Sequence, residues 1–478
     1  MFFNSISFAV FLPIVFLLYW FVANKNFKKQ NILLLLASYY FYATWDWRFL
    51  FLLIFSTFLD FYTGLQMASA KSNRTRNGYF WLSISVNLGL LGVFKYYNFF
   101  ANSFADLITA IGFQINPWTL QVILPIGISF YTFHGLSYII DIYKNKIQPE
   151  KNYIDYAVFV SFFPLLVAGP IERATHLLPQ IKKNRVFDFK QAVDGLRQIL
   201  WGLFKKVVIA DQCAGYVNTI FAHSDQYTGS TLALGAILFS FQIYGDFSGY
   251  SDIALGAARL FGIELLKNFS FPYFSRDMAE FWRRWHISLS SWFKDYLYIP
   301  LGGSKGSDWL KIRNTLVIFL VSGFWHGANW TFIVWGLLNA IFILPSIFFN
   351  TNRNNLQIIA AGKMFPSFKS FVAMVVTFGL TTFAWIFFRA ENLTKAMQYC
   401  QKIFSFSSLS IPEINPLTLY KCLAILIIVE WLGREQEFAL AKLEEKVPAL
   451  LRWGTYYVLV YLIFYHVGAE QQFIYFQF

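Results

Sequence analysis

Apolar residues fall in long runs separated by short polar breaks, and the breaks alternate in charge. Ile6–Val22 is apolar and is followed by Lys25, Lys28 and Lys29. Asn31–Tyr42 predicts a return through the same apolar phase, ending at the turn Trp45-Asp46-Trp47-Arg48. Phe49–Ala68 runs back to Lys71, Arg74 and Arg76, and Tyr79–Phe100 leaves again. Ala101–Leu120 is more polar, is broken at Asn116-Pro117, and reads as interfacial. Val122–Tyr143 then comes in to Lys144 and Lys146. Basic residues at every second break follow the positive-inside rule, which puts the N-terminus outside and these clusters in the cytoplasm. No basic region precedes Ile6–Val22, so it does not read as a signal peptide.

The middle of the chain is less regular. Tyr156–Pro170 is short for a crossing of about 17–25 residues, and Pro164 and Gly169-Pro170 interrupt it. Basic residues lie on both sides, which predicts a re-entrant segment. Such backbone is tolerated at membrane depth where protein covers it or where it lines a cavity. Leu196–Ala210 carries Lys205-Lys206 and reads as interfacial. Thr231–Phe261 is long and apolar but holds Asp246 and Asp252. These either tie helices together or line a site. Apolar runs follow at Thr331–Phe349, Phe371–Phe388, Cys422–Leu432 and Tyr456–Val467. The expected fold is an all-α polytopic membrane protein, residues 1–478 forming one domain, with about eleven transmembrane or re-entrant helices.

Composition agrees. Of 478 residues, 57% are hydrophobic and 14% charged, against about 25% charged in soluble domains. The net charge of +13 comes from short clusters between apolar runs, which argues for topology and lipid contact and against nucleic acid. Cys213, Cys400 and Cys422 have no paired spacing, so neither a disulfide framework nor a metal site is expected.

Two stretches carry candidate chemistry. In Glu280–Tyr296, plotted as one helix at about 100° per residue, the aromatic residues share a face and His286 sits at its edge. Arg283 and Arg284 fall on the other side. This reads as an amphipathic helix at the cytoplasmic interface. The second stretch is Ser322–Trp330. From Asn314 to Phe349 there is no charged residue, too long for one crossing, so a break is expected around Gly323, Gly327 and Asn329. If the chain is helical from Asn314, His326 lies about 18 Å further in, near mid-membrane. An ionisable residue there is costly and is a functional candidate by default. His134 is a weaker candidate for the same cavity.

Six stretches together resemble the membrane-bound O-acyltransferase superfamily, its alginate-type O-acetyltransferase branch most of all. They are Pro125–Phe133, Val167–Ile171, Tyr244–Asp252, Phe281–Leu289, Gly323–Gly327 and Trp385–Arg389. The resemblance implies helices around a central funnel or tunnel, an acyl donor on the cytoplasmic side and an acceptor outside. It implies His326 as the catalytic residue and His286 as its support. Arg283, Arg284, Trp325 and Asn329 are the expected donor-binding residues. Acetyl-CoA is the expected donor substrate, with no bound cofactor. The expected acceptor is an extracytoplasmic polysaccharide, reached through an acetyltransferase partner protein at a bacterial cytoplasmic (inner) membrane. Peptidoglycan O-acetylation and D-alanyl transfer to teichoic acid are alternatives within this chemistry. A transporter with a proton-relay histidine is the alternative outside it.

Overall fold

The computed structural model describes residues 1–24, 26–113, 115–121, 123–167, 169–468, 471, 473 and 474, and the side chain of Lys446 is outside the described set. Lys25, Val122 and Ala168, which entered the sequence reading, lie outside the described residues. All described elements are helical. Among the described residues, four helical stretches are long and apolar enough to cross a membrane: Trp47–Ser69, Asn73–Ala110, Trp330–Phe348 and Phe368–Arg389.

The chain packs as two compact units. The first holds Met1–Gly195 and Ala257–Leu266. Its helices are α1 (Ile6–Leu17), α2 (Phe27–Ala43), α3 (Trp47–Ser69), α4 (Asn73–Leu91), α5 (Tyr97–Ala110), α6 (Ile128–Tyr143), α7 (Tyr153–Ser161), α8 (Phe163–Leu166) and α9 (Ala174–Ile181). Short polar residues start several of them: the side chains of Ser5, Asn26, Asp46, Ser72 and Asn152 accept backbone N–H groups in the first turn. Such caps satisfy donors that the helix leaves open. Two expectations change here. A π-helical turn at Gly92–Tyr96 joins α4 to α5, so Tyr79–Phe100 shares one long helix with Ala101–Ala110, the first half of the segment read as interfacial. The run expected from Val122 becomes helical only at Ile128, after Gly127 at φ 74°. The re-entrant candidate is broken at Phe162, between α7 and α8, two residues before Pro164, which sits in the first turn of α8 and does not interrupt it, and the described side chains of α7 and α8 are buried.

The second unit holds Leu196–Gly256 and Lys267–Phe478. Its helices are α11 (Asp211–Ala222), α13 (Met278–Arg284), α14 (Ile287–Phe293), α15 (Asp308–His326), α16 (Trp330–Phe348), α17 (Phe368–Arg389), α18 (Leu393–Ile403), α19 (Leu417–Gly433), α20 (Leu443–Lys446) and α21 (Ala449–His466). Two further helices, α10 (Phe189–Leu203) and α12 (Gly229–Leu260), run through the division between the units. The interfacial reading of Lys205 and Lys206 is corrected. Both are buried: Lys205 pairs with Asp252 at 2.6 Å, and Lys206 with Asp246 at 2.6 Å and Asp211 at 2.8 Å. Ammonium groups matched this way do not need to reach a membrane surface. Asp246 and Asp252 are therefore helix ties.

The α15–α16 hairpin is the frame for the candidate site. The uncharged stretch turns at Gly327-Ala328-Asn329, where the sequence put its break. Asn329 caps α16 by accepting from Thr331 N. The helices approach through glycine: a Cβ on Gly323 would meet Phe332 O at 2.3 Å, and one on Gly336 would meet Phe319 O at 2.3 Å. Small residues of this kind let helix backbones pack closely where lipid offers no hydrophobic drive.

Candidate active site

The stretch read as one amphipathic helix is two. α13 ends at Arg284, Trp285 is extended (φ −101°, ψ 128°), and His286 takes the left-handed conformation at φ 43° and ψ 53°. The cause lies in the preceding segment. Ser270 N donates to Arg284 O at 3.0 Å, Ile287 N donates to Asn268 O at 2.8 Å, and Ser288 Oγ donates to Asn268 Oδ1 at 2.5 Å. These bonds take backbone groups that a continuous helix would have used. A histidine in the left-handed region is uncommon and costs about 1–2 kcal/mol, so these tertiary bonds hold it there.

The break places the imidazole of His286 4.6 Å from the Phe247 ring, edge to face, and 6.2 Å from the Trp325 ring. His286 is buried, and that burial pushes its pKa down to about 3. The two seven-residue helices around it are too short to cross a membrane. His326 is the last residue of α15. Its ring lies 4.9 Å from Trp325, 5.0 Å from Trp335 and 5.4 Å from Phe388. Trp325 thus stands against both imidazoles, and Trp335 is backed by stacking on Trp385 at 5.5 Å.

Both histidines line one cavity of about 660 Å³. α15 supplies Lys311, Thr315, Ile318, Phe319, Ser322 and His326 to its wall, one face at helical spacing. At about 1.5 Å per residue, Lys311 and His326 are roughly 22 Å apart along the axis. Near Lys311 the wall also includes Asn350, Asn352 and Arg353, which follow the end of antiparallel α16. Arg283 and Lys294 complete the basic set, and no carboxylate residue is among the lining residues. The cavity therefore has a histidine end and a basic end.

The other expected donor-binding residues separate. Arg283 lines the cavity, but it also donates to Asn352 O at 2.7 Å and Asn355 O at 3.0 Å, fixing the polar turn after α16. Arg284 is not in the lining. Its Nη2 donates to Glu280 Oε1 at 2.8 Å and its Nη1 to Ser270 O at 3.1 Å. Arg276 grips the same buried Glu280 at 2.9 Å. Trp325 and Asn329 are also outside the lining. Asn329 Nδ2 donates to Glu391 O at 2.9 Å. His134 lies in the first unit, its Nε2 accepting from Glu172 N at 3.0 Å. Sequence reading missed Lys294, Lys311 and Arg353 as cavity residues. The spacing of Lys311, Thr315, Ser322 and His326 on one helix face was the available signal.

Residues 144–380, which contain both histidines, match the model of the membrane-bound O-acyltransferase family. A probable alginate O-acetylase AlgI of Pseudomonas aeruginosa is 40% identical over 415 residues, 86% of this chain and 76% of the relative. A peptidoglycan O-acetyltransferase of Helicobacter pylori is 36% identical over 433 residues, 85% of this chain and 80% of the relative. A teichoic acid D-alanyltransferase of Bacillus subtilis is 27% identical over 282 residues, 56% of this chain and 69% of the relative. The chain belongs to the membrane-bound O-acyltransferase family and is a multi-pass membrane O-acyltransferase.

Proposed function

We propose that this enzyme moves an acetyl group from a cytoplasmic thioester, acetyl-CoA, to a hydroxyl of an extracytoplasmic polysaccharide, with His326 as the catalytic residue. The observation that carries the reading is the two-ended cavity, basic at Lys311 and closed by histidines at His326. Phosphates of the donor belong at the basic end, where Arg283, Lys294, Lys311 and Arg353 offer charge-assisted hydrogen bonds. The thioester arm then extends along α15 to His326. Basic residues on that side also favour the cytoplasm. About eleven crossings or re-entrant segments around a funnel, in a bacterial cytoplasmic membrane, complete the architecture.

The step is acyl transfer. The neutral imidazole of His326 accepts the proton of the acceptor hydroxyl as its oxygen attacks the thioester carbonyl. The tetrahedral intermediate collapses, the carbon–sulfur bond breaks, and the leaving thiolate takes the proton from the imidazolium. The carbonyl groups that end α15 stabilise the positive charge that forms there. The rings of Trp325, Trp335 and Phe388 pack on the imidazole and fix how it is presented to the cavity. Direct acylation of His326 is the other route. It predicts an acyl adduct on the intact protein when donor is supplied without acceptor. His286, whose ring packs 6.2 Å from that of Trp325, orients the cage.

The alginate O-acetylase relatives support an alginate-like acceptor, and transfer through an extracytoplasmic acetyltransferase partner is part of our reading. The similarity to a peptidoglycan O-acetyltransferase keeps the cell-wall polymer as a second reading. The test is acetyl transfer by folded His326→Ala protein, with donor binding measured alongside. Transfer should fall at least about a hundredfold, the usual worth of general acid–base catalysis, with donor affinity retained. Transfer at the wild-type rate overturns the assignment.

A further inference from the structure

A second cavity, sharing no residue with the first, is lined wholly from the second unit. Its volume is about 380 Å³, inside the usual range of about 300–1,000 Å³ for small-ligand sites. α11 supplies Gln212 and Tyr216, α19 supplies Thr418 and Cys422, and the end of α21 supplies Tyr465 and His466. Cys422 Sγ lies 4.0 Å from His466 Nε2. The other ring nitrogen decides which way that contact runs. Nδ1 is 2.9 Å from Leu462 O, and a carbonyl oxygen only accepts, so Nδ1 carries a proton. Nε2 is then the nitrogen that offers its lone pair to the thiol. His466 is the last residue of α21, and Gln212 Nε2 fixes that helix end by donating to His466 O at 3.1 Å. Cys213 and Cys400 are buried as well, but neither lines this cavity.

We propose that Cys422 is a second nucleophile of this enzyme, a thiol that takes up an acyl group with His466 as its base. The acyl class rests on the thioester donor read above, whereas the thiol–imidazole pair stands on its own geometry. The thiolate is the reactive form of cysteine, and an adjacent imidazole is a usual means of producing it. Pairs of this kind are often looser than a tight hydrogen bond before substrate arrives. Nε2 takes the thiol proton as the sulfur attacks the carbonyl carbon of a small acyl thioester. The tetrahedral intermediate collapses, the carbon–sulfur bond of the incoming thioester breaks, and the imidazolium returns the proton to the departing thiolate. The products are S-acylated Cys422 and a free thiol, so no oxidant or reductant is needed. The lining fixes the ligand class. It contains no Lys, Arg, Asp or Glu, only hydroxyl, amide and apolar groups beside the pair. An acyl group on an uncharged thiol arm suits such walls, whereas the phosphates of a nucleotide thioester suit the basic cavity.

The test incubates the purified full chain with the acetyl thioester of N-acetylcysteamine, an uncharged donor, and maps acetylated peptides by mass spectrometry. The mapping separates an adduct on Cys422 from one on His326. Cys422 should be acetylated at least about a hundredfold faster than Cys213 or Cys400, the low end of what a positioned base contributes. Neutral hydroxylamine should remove the label, as it cleaves a thioester. His466→Gln should lose the advantage. In His466→Ala, added imidazole should restore part of it and pyrazole, of the same shape but a far weaker base, should not. A role in packing alone would not separate the two. Equal labelling of all three cysteines in the wild type overturns the proposal, and that arm needs no variant to fold. A Cys422 rate unchanged by His466→Gln overturns it as well. Acetyl transfer to a hydroxyl acceptor is assayed separately. If transfer is absent while Cys422 labels through His466, the transfer reading fails and this site stands. If transfer proceeds while Cys422 labels no faster than the other cysteines, the site fails and the transfer reading stands.

Discussion

Gly323→Ala asks whether the α15–α16 seam sets the position of His326. The added Cβ would lie 2.3 Å from Phe332 O, 3.1 Å from Phe332 C and 3.4 Å from Gly336 Cα. Ordinary contact begins near 3.5 Å, so the first approach is roughly 1 Å too close. All three opposing atoms are backbone, and no rotamer change relieves them. The helices must part by about that distance or slide past one another. Overpacking of this sort costs about 1–3 kcal/mol. His326 is one helical turn beyond Gly323, so its ring moves with the seam. A displacement of about 1 Å at a reacting group is worth on the order of a hundredfold in rate. Thermal unfolding in detergent reads the first effect and acetyl transfer at saturating donor reads the second. Gly379→Ala in α17 is the control, because a Cβ there meets nothing within 4 Å. A less stable variant that keeps the wild-type rate would refute the link between seam and histidine. A variant that matches wild type in both would refute the seam itself.

Other predictions are simpler. Arg284→Ala should lower stability by about 2–3 kcal/mol, because hydrogen bonds to a charged group are removed and Arg276 alone is left on buried Glu280. Its donor affinity should not change, and a weakened donor titration would return Arg284 to the binding site. His176 pairs with buried Glu172 at 2.8 Å, and the hydrogen bond to that carboxylate raises its pKa above the ordinary 6.5. Its stabilisation is therefore complete below 6.5 and is lost as pH rises through the raised folded value. His176 is partly exposed, so the effect is screened and small. The unfolding temperature of wild type relative to His176→Gln should shrink between about pH 6 and about pH 9, and a constant difference contradicts the pairing.

What the sequence disclosed depended on whether the cause was local. The break after His326 was legible because thirty-odd uncharged residues cannot form one crossing of about 20 and glycines marked the place. The break before His286 was not legible. Its residues suit a continuous amphipathic helix, and the bonds that stop it come from Asn268 and Ser270. Lys205 and Lys206 misled in the same way. A basic pair in an apolar stretch reads as a membrane boundary until Asp246 and Asp252, on another helix, are known to face it. Arg283 and Arg284 are neighbours in sequence, yet one lines the cavity and the other neutralises Glu280. Periodicity separates faces of a helix but does not say which face meets a carboxylate.

The choice of histidine at position 326 follows from the surroundings. A lysine or a carboxylate closed in by Trp325, Trp335 and Phe388 would carry its charge in the resting state, at a desolvation cost that only a partner could offset. An imidazole rests neutral and becomes charged only while a proton is in transit. The end of α15 is where that transient charge costs least, because open carbonyl groups gather there. Under the proposed mechanism the packed rings and the helix C-terminus are thus two halves of one solution. The rings fix the position of the imidazole, and under the proposed mechanism the helix end would stabilise the imidazolium. Moving the histidine back one turn, to Ser322, would keep it in the cavity wall. It would then face carbonyls already bonded within the helix, and the compensating half would be lost.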